Sequence, residues 1–196
     1  MRIHRRILQS YSIPLTLLAM AGLHACGEDP KKEAAAAPPA ETPYGSVSEI
    51  GRYLQRIEPL KVKIGQLQAR YESGLSSNRG DDQRLGTGQN LANLAAELEP
   101  QMKSLLESCE SIEPPALLAP VHRDTKKLIL LRLGAYQKTR EGWHVESTEG
   151  GSFRLANDQY YRAAESQLAE ANRLIQQLNR EMSKIYIALE QVSAGT

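Results

Sequence analysis

Cysteine is nearly absent from this chain, which carries two in 196 residues, Cys26 and Cys109. Two cysteines make no disulfide framework and cannot furnish a multi-cysteine zinc site. Aromatic residues are scarce too, with a single Trp and a single Phe, which leaves little of the material from which sheets are built. Neither sign of charge dominates: 24 Lys+Arg face 23 Asp+Glu, a formal charge of +1. No basic patch therefore points to nucleic acid, and no acidic block to a solvating tail. Catalytic signatures are missing as well. The chain contains no Gly-x-Ser-x-Gly elbow, no His-Glu-x-x-His, no phosphate-cradling glycine loop and no Cys-x-x-Cys-His. The expectation is a chain that is not an enzyme and holds no cofactor.

What is present begins at the N-terminus. Arg2, Arg5 and Arg6 form a positive segment without an acid, and Ile13 to Leu23 supplies an apolar core of eleven residues. That core is too short to span a bilayer as a helix and reads as an export signal. Leu23-His24-Ala25-Cys26 closes it. The ensemble resembles a bacterial lipoprotein signal, in which a large aliphatic residue and two smaller ones precede a modified cysteine; His24 stands where a small residue is usual. The resemblance implies that residues 1–25 are a signal peptide and that Cys26 becomes a mature N-terminus bearing a thioether-linked diacylglycerol. Gly27 after the cysteine, rather than Asp, resembles lipoproteins directed to the outer membrane, facing the periplasm. Acyl chains, at about 0.8 kcal/mol per buried methylene, hold a protein on a membrane without a spanning helix. Cleavage would remove three arginines and no acid, taking the charge from +1 to −2, so the lipid rather than electrostatics would do the anchoring.

Residues 26–45 then form an Ala/Pro-rich stretch with almost no large apolar side chain, expected to be a disordered tether. Residues 46–196 read as one helical domain. Ile50, Tyr53, Ile57, Leu60, Ile64, Leu67 and Tyr71 recur at spacings of three and four, a heptad-like seam capped by Ser46 or Ser48. Gly74 reads as its stop. A second helix carries Leu91, Leu94, Leu98, Met102, Leu105, Cys109 and Ile112, and Glu113-Pro114-Pro115 ends it. A third runs from about Pro115 to Arg140, with Leu117, Val121, Leu128, Leu131 and Ala135 inward and Pro120 in its first turn. The last holds the same alternation from Tyr160 to Leu189. Pro59 and Pro100 sit two residues after seam positions and are expected to point outward. The pattern predicts an all-α, antiparallel four-helix bundle with coiled-coil-like seams. Leu105, Ile112-Glu113-Pro114-Pro115, His122 and Leu128 also resemble the hairpin of many helical bacterial lipoproteins, which implies no particular chemistry.

Both longer connections, 76–89 and 142–152, are expected at the end of the bundle away from the tether. There they place the candidate partner-binding residues: Arg79, Asp81, Asp82 and Arg84 in the first, Trp143 and His144 in the second. Arg79-Gly80-Asp81 matches an adhesion tripeptide, yet Gly-Asp also suits a turn on its own account. Trp143 is either an interface anchor or a cap over the end of the core. Glu141-Gly142-Trp143-His144 has the Glu-x-x-His spacing of di-metal bundles, but such sites need a second copy and two further glutamates. Cys109, on a seam, reads as an inert core thiol. The leading expectation is a lipid-anchored envelope protein that serves as a helical spacer or docking module for a protein partner. The alternative is a small-ligand or metal carrier built in the bundle core. Self-association through the heptad seams is a further expectation.

Overall fold

The computed structural model describes residues 41–79, 87–149 and 159–194. Two short strands fall within the last residues of the stretch read as tether. Strands β1 (Glu41–Thr42) and β2 (Gly45–Ser46) pair antiparallel around a turn at Pro43 and Tyr44. The Thr42 hydroxyl donates to the Gly45 carbonyl (3.0 Å) and accepts the Tyr44 N–H (3.0 Å). Gly45 has φ +112°, a conformation open to glycine and costly for other residues. Half-buried Tyr44 rests against the core, so a short hairpin replaces the last residues of the expected tether.

Helix α1 (Val47–Arg79) starts where Ser46 Oγ accepts the Glu49 N–H at 3.3 Å, an N-cap. It is continuous through Pro59. Proline deprives the carbonyl four residues back of its bond; here that is Gln55, whose exposure lets water take over the role. Helix α2 (Thr87–Glu110) accommodates Pro100 in the same way, opposite exposed Ala96. Both prolines face solvent, as expected. Arg56 of α1 donates from Nη2 to the Ser111 carbonyl (3.0 Å), placing a cation at the end of α2 where helix carbonyls lack partners.

After Pro114 and Pro115 a 3-10 turn covers Ala116–Leu118, closed by Leu118 N–H to Pro115 O at 2.8 Å. This turn corrects one inward residue. A 3-10 turn advances more per residue than an α-helix, so Leu118 is buried and Leu117 lies exposed. Helix α3 (Ala119–Glu149) has Pro120 in its first turn, and α4 (Gln159–Ala194) completes the set. No helix among the described residues is long and apolar enough to cross a membrane.

The four helices form an all-α antiparallel bundle, and every described residue belongs to one compact unit, Pro38–Thr196. Backbones approach most closely between sequence neighbours: α1 with α2, α2 with α3, and α3 with α4. Helices α1 and α4 are joined instead by long side chains, Tyr186 Oη to Glu58 Oε1 (2.6 Å) and Gln68 Nε2 to Asn172 Oδ1 (3.1 Å). The expected seams of α1 and α2 are buried almost throughout, including Cys109, with Leu60 and Leu94 at the edge. Tyr71 stacks on Tyr136 at 4.7 Å, tilted, and donates its hydroxyl to Thr139, whose own proton goes to the Ala135 carbonyl (2.9 Å). Burial pushes the Tyr71 phenol up to about 12.

Two helix ends differ from the sequence reading. Helix α1 runs past Gly74 to Arg79 because Gly74 is a packing residue, with Leu94 of α2 occupying the space a Cβ would need. Helix α3 likewise runs past Gly142 to Glu149. A Cβ at Gly142 would sit 3.0 Å from the Tyr161 ring, so this glycine lets α4 approach rather than ending the helix.

Candidate functional site

Because α3 continues, Trp143 and His144 stand on a helix and not in a loop. They line a surface groove of about 880 Å³ with Ala92, Asn93 and Ala96 of α2, Gln137 and Arg140 of α3, and Tyr160 of α4. The groove lies in the half of the bundle away from the β1–β2 hairpin, formed by the start of α2, the end of α3 and the start of α4. His144 is exposed, and its carbonyl accepts the hydroxyls of Ser147 (2.9 Å) and Thr148 (2.8 Å), which hold the last turn of α3. Trp143 is half-buried. One edge of its indole lies over Gly88 while the ring also forms part of the groove wall, so it is both an end cap and a presented surface.

Charges at the groove have partners inside the protein. Arg140 pairs with Glu99 of α2, and Glu141 with Lys138 at 2.5 Å; Lys138 also lies 5.6 Å from the centre of the Tyr160 ring. Glu99, 5% exposed, is clamped from the other side by Lys103 at 2.7 Å. Burial pushes its carboxyl upward, but the hydrogen bonds from Lys103 and Arg140 outweigh that and hold it below the usual carboxylate range. A carboxyl lowered by folding lends stability that is complete above its unfolded pKa, about 4.3, and is lost as the pH falls through its folded value. Thermal melts from pH 7 to 3 should show the native chain losing its advantage over Glu99→Gln only below about pH 4.3. A gap that stays constant over that range would mean that the clamp does not titrate with folding.

Beneath the groove Glu146 and Tyr161 are both buried and joined by a bond from Tyr161 Oη to Glu146 Oε2 (3.1 Å). The start of α2 fits over them through Gly88. Of the other sequence candidates, Arg79 is the last residue of α1; Asp81, Asp82 and Arg84 lie outside the described residues, as does Cys26. The structure thus brings Trp143 and His144 together on one groove wall.

A second cluster links three helices near the hairpin end. His122 Nδ1 meets Tyr53 Oη at 3.5 Å, and His122 Nε2 meets Cys109 Sγ at 3.9 Å. Proximity of thiol and imidazole invites a nucleophilic reading, which needs a thiolate stabilised by a cationic ring. Burial acts the other way on both partners, raising the Cys109 thiol and lowering the His122 imidazole. The pair is neutral, the sulfur is fully buried, and the cluster joins α1, α2 and α3 as a polar contact. Among the described residues no group of three or more His, Cys, Asp and Glu is placed to hold a metal ion.

The feature least expected from periodicity is Arg132 on α3, which has no solvent exposure. Its Nη2 donates to Asn172 Oδ1 (2.9 Å), while Nε and Nη1 have no partner. Gln68 donates to the same Asn172 oxygen and to Glu72 Oε1 (2.9 Å), completing a polar layer across α1, α3 and α4. Tyr136, one turn along α3, has a buried hydroxyl without a partner. The signal was present in the sequence: Leu128-Ile129-Leu130-Leu131-Arg132-Leu133 sets a lone charge in an apolar run. Set against family models, curated proteins and solved structures, the chain matches none of them.

Proposed function

We propose that this chain is a non-enzymatic, lipid-anchored envelope protein, whose bundle stands off the membrane from Cys26 and receives a protein partner in the groove beside Trp143 and His144. The observation that carries the docking part is the groove itself, about 880 Å³, with two aromatic rings on its wall and its charges paired internally. Aromatic anchors in a concave surface are typical of interface hot spots. Its place in the half of the bundle away from the hairpin supports the spacer reading, because chain entering at residue 41 leaves that half free to reach outward. The anchoring part rests on the resemblance of residues 1–26 to a lipoprotein signal.

One experiment addresses both parts. In cells labelled with an alkyne fatty acid and crosslinked, the native chain should carry label and capture a defined partner. Cys26→Ala should lose the label. Trp143→Ala with His144→Ala should keep it and lose at least about tenfold in capture, the scale of one or two hot-spot residues. Label on the Cys26→Ala chain would refute the anchor, and undiminished capture by the groove variant would refute the docking face.

A further inference from the structure

Near the hairpin end, Tyr53 of α1, Cys109 of α2 and His122 of α3 meet, and two of the three are metal-ligating side chains. His122 Nε2 faces Cys109 Sγ at 3.9 Å, while Nδ1 faces Tyr53 Oη at 3.5 Å. A histidine that ligates a metal usually gives its other ring N–H to a nearby acceptor, which fixes the tautomer. With its proton on Nδ1, toward the Tyr53 oxygen, His122 turns the lone pair of Nε2 to the sulfur. Burial pushes the Tyr53 phenol well above its ordinary value, so its oxygen serves as that acceptor and not as a phenolate ligand. A sulfur and an imidazole nitrogen thus converge on one gap.

That gap has the size of a metal ion. Bonds of about 2.3 Å to sulfur and about 2.0 Å to nitrogen put the two atoms about 4.3 Å apart when collinear with the ion, and about 3.5 Å apart at a tetrahedral angle. The observed 3.9 Å lies between, at an angle wider than tetrahedral, which suits an ion that takes few ligands. Donor number and charge then select the ion. Among the described residues no group of three or more His, Cys, Asp and Glu is placed to hold a metal, so a four-coordinate divalent ion would lack half its ligands. Cys109 is fully buried, where an uncompensated charge is costly. One thiolate with a monovalent cation is neutral. With a divalent cation it keeps a positive charge, beside the Lys126 ammonium that acts on both Cys109 and His122. Thiolate and imidazole are both donors that suit copper, and the thiolate selects Cu(I). His122 is only half-buried, which leaves the imidazole within reach of solvent.

We propose that Cys109 and His122 form a two-ligand site for a soft monovalent metal ion, Cu(I), with Tyr53 holding the imidazole in its ligating tautomer. Binding exchanges a proton for the ion. The S–H bond of Cys109 breaks, bonds from copper to Sγ and to Nε2 form, the proton leaves to solvent, and copper stays in the Cu(I) state. This site is separate from the groove at Trp143, and its success or failure leaves the docking reading untouched.

The test uses the full chain carrying Cys26→Ala, so that Cys109 is its only thiol, and titrates it without oxygen with Cu(I) held by the chelator bicinchoninate. One Cu(I) should bind per chain. Adding Cys109→Ser should abolish binding, and His122→Phe should weaken it by more than about a hundredfold, beyond the scale of an outer-shell change. Tyr53→Phe, which removes the acceptor and keeps both ligands, should weaken it by about tenfold. X-ray absorption at the copper edge, which needs neither ligand variant to fold, should find one sulfur and one nitrogen on the metal. Failure to take copper from the chelator, equal affinity in His122→Phe, a copper shell without nitrogen, or displacement of Cu(I) by an equal amount of Zn(II) would each overturn the proposal.

Discussion

Arg132→Met is expected to make the free protein more stable, by about 1–4 kcal/mol in denaturant unfolding. Removing a charge from a core usually destabilises it, because a partner is left behind with an unmatched charge. That penalty is small here, because Glu72, the acid that acts electrostatically on the guanidinium, is only half-buried. Asn172 Oδ1 would lose the guanidinium but keep the Gln68 amide at 3.1 Å, and Glu72 Oε1 would keep its bonds from Gln68 and Asn172. What disappears is a buried cation with two unpaired nitrogens, whose burial already holds its pKa below that of a free arginine. Methionine matches the length of the arginine stem and packs adaptably in an apolar setting. A loss of more than about 1 kcal/mol would show that the guanidinium is a net structural asset. A gain would mean that the bundle carries a costly residue, as binding sites often do.

The fold was legible where a helix meets its neighbours along one narrow stripe. Helices α1 and α2 satisfy a seam of spacing three and four because each presents a single face to the bundle. Helix α3 breaks that assumption. It packs closely against both α2 and α4 and reaches Tyr71 of α1, so Thr125, Leu128, Ile129, Arg132, Leu133, Ala135, Tyr136 and Thr139 are all buried. A stripe of that breadth takes in polar residues that a heptad reading assigns to solvent. The groove was half legible. Trp143 stood out as the one tryptophan, but on sequence Gly142 falls at the start of the connection 142–152, when the ring of Tyr161, distant in sequence, is what requires a glycine there. The same holds for Gly88, which on sequence falls in the connection 76–89 and is a point of contact between three helices.

Gly88→Val is expected to cost about 2–5 kcal/mol, the sum of core overpacking and a broken buried bond. A Cβ on residue 88 would fall 2.6 Å from Glu146 Oε2, 2.8 Å from Tyr161 Oη and 3.1 Å from Trp143 Cε3. Any one of these atoms, at the end of its side chain, could be moved cheaply. Together they cannot, since Glu146 and Tyr161 are bonded to each other and are only 5% and 4% exposed. Either that bond breaks, leaving a buried carboxylate short of a donor, or the start of α2 lifts from α3 and α4. The chain reports on itself here, because Trp143 is its only tryptophan. Its emission should move to the red in Gly88→Val, and its thermal transition should precede the loss of helical circular dichroism, which begins from nearly native content. Adding Glu146→Ala should recover part of the lost stability by making room, an interaction that a double-mutant cycle isolates. Unchanged emission together with an unchanged melt would mean that Gly88 is not packed against this cluster. The groove would then need another explanation for the orientation of its indole, since Gly88 is what fits the first turn of α2 over Trp143.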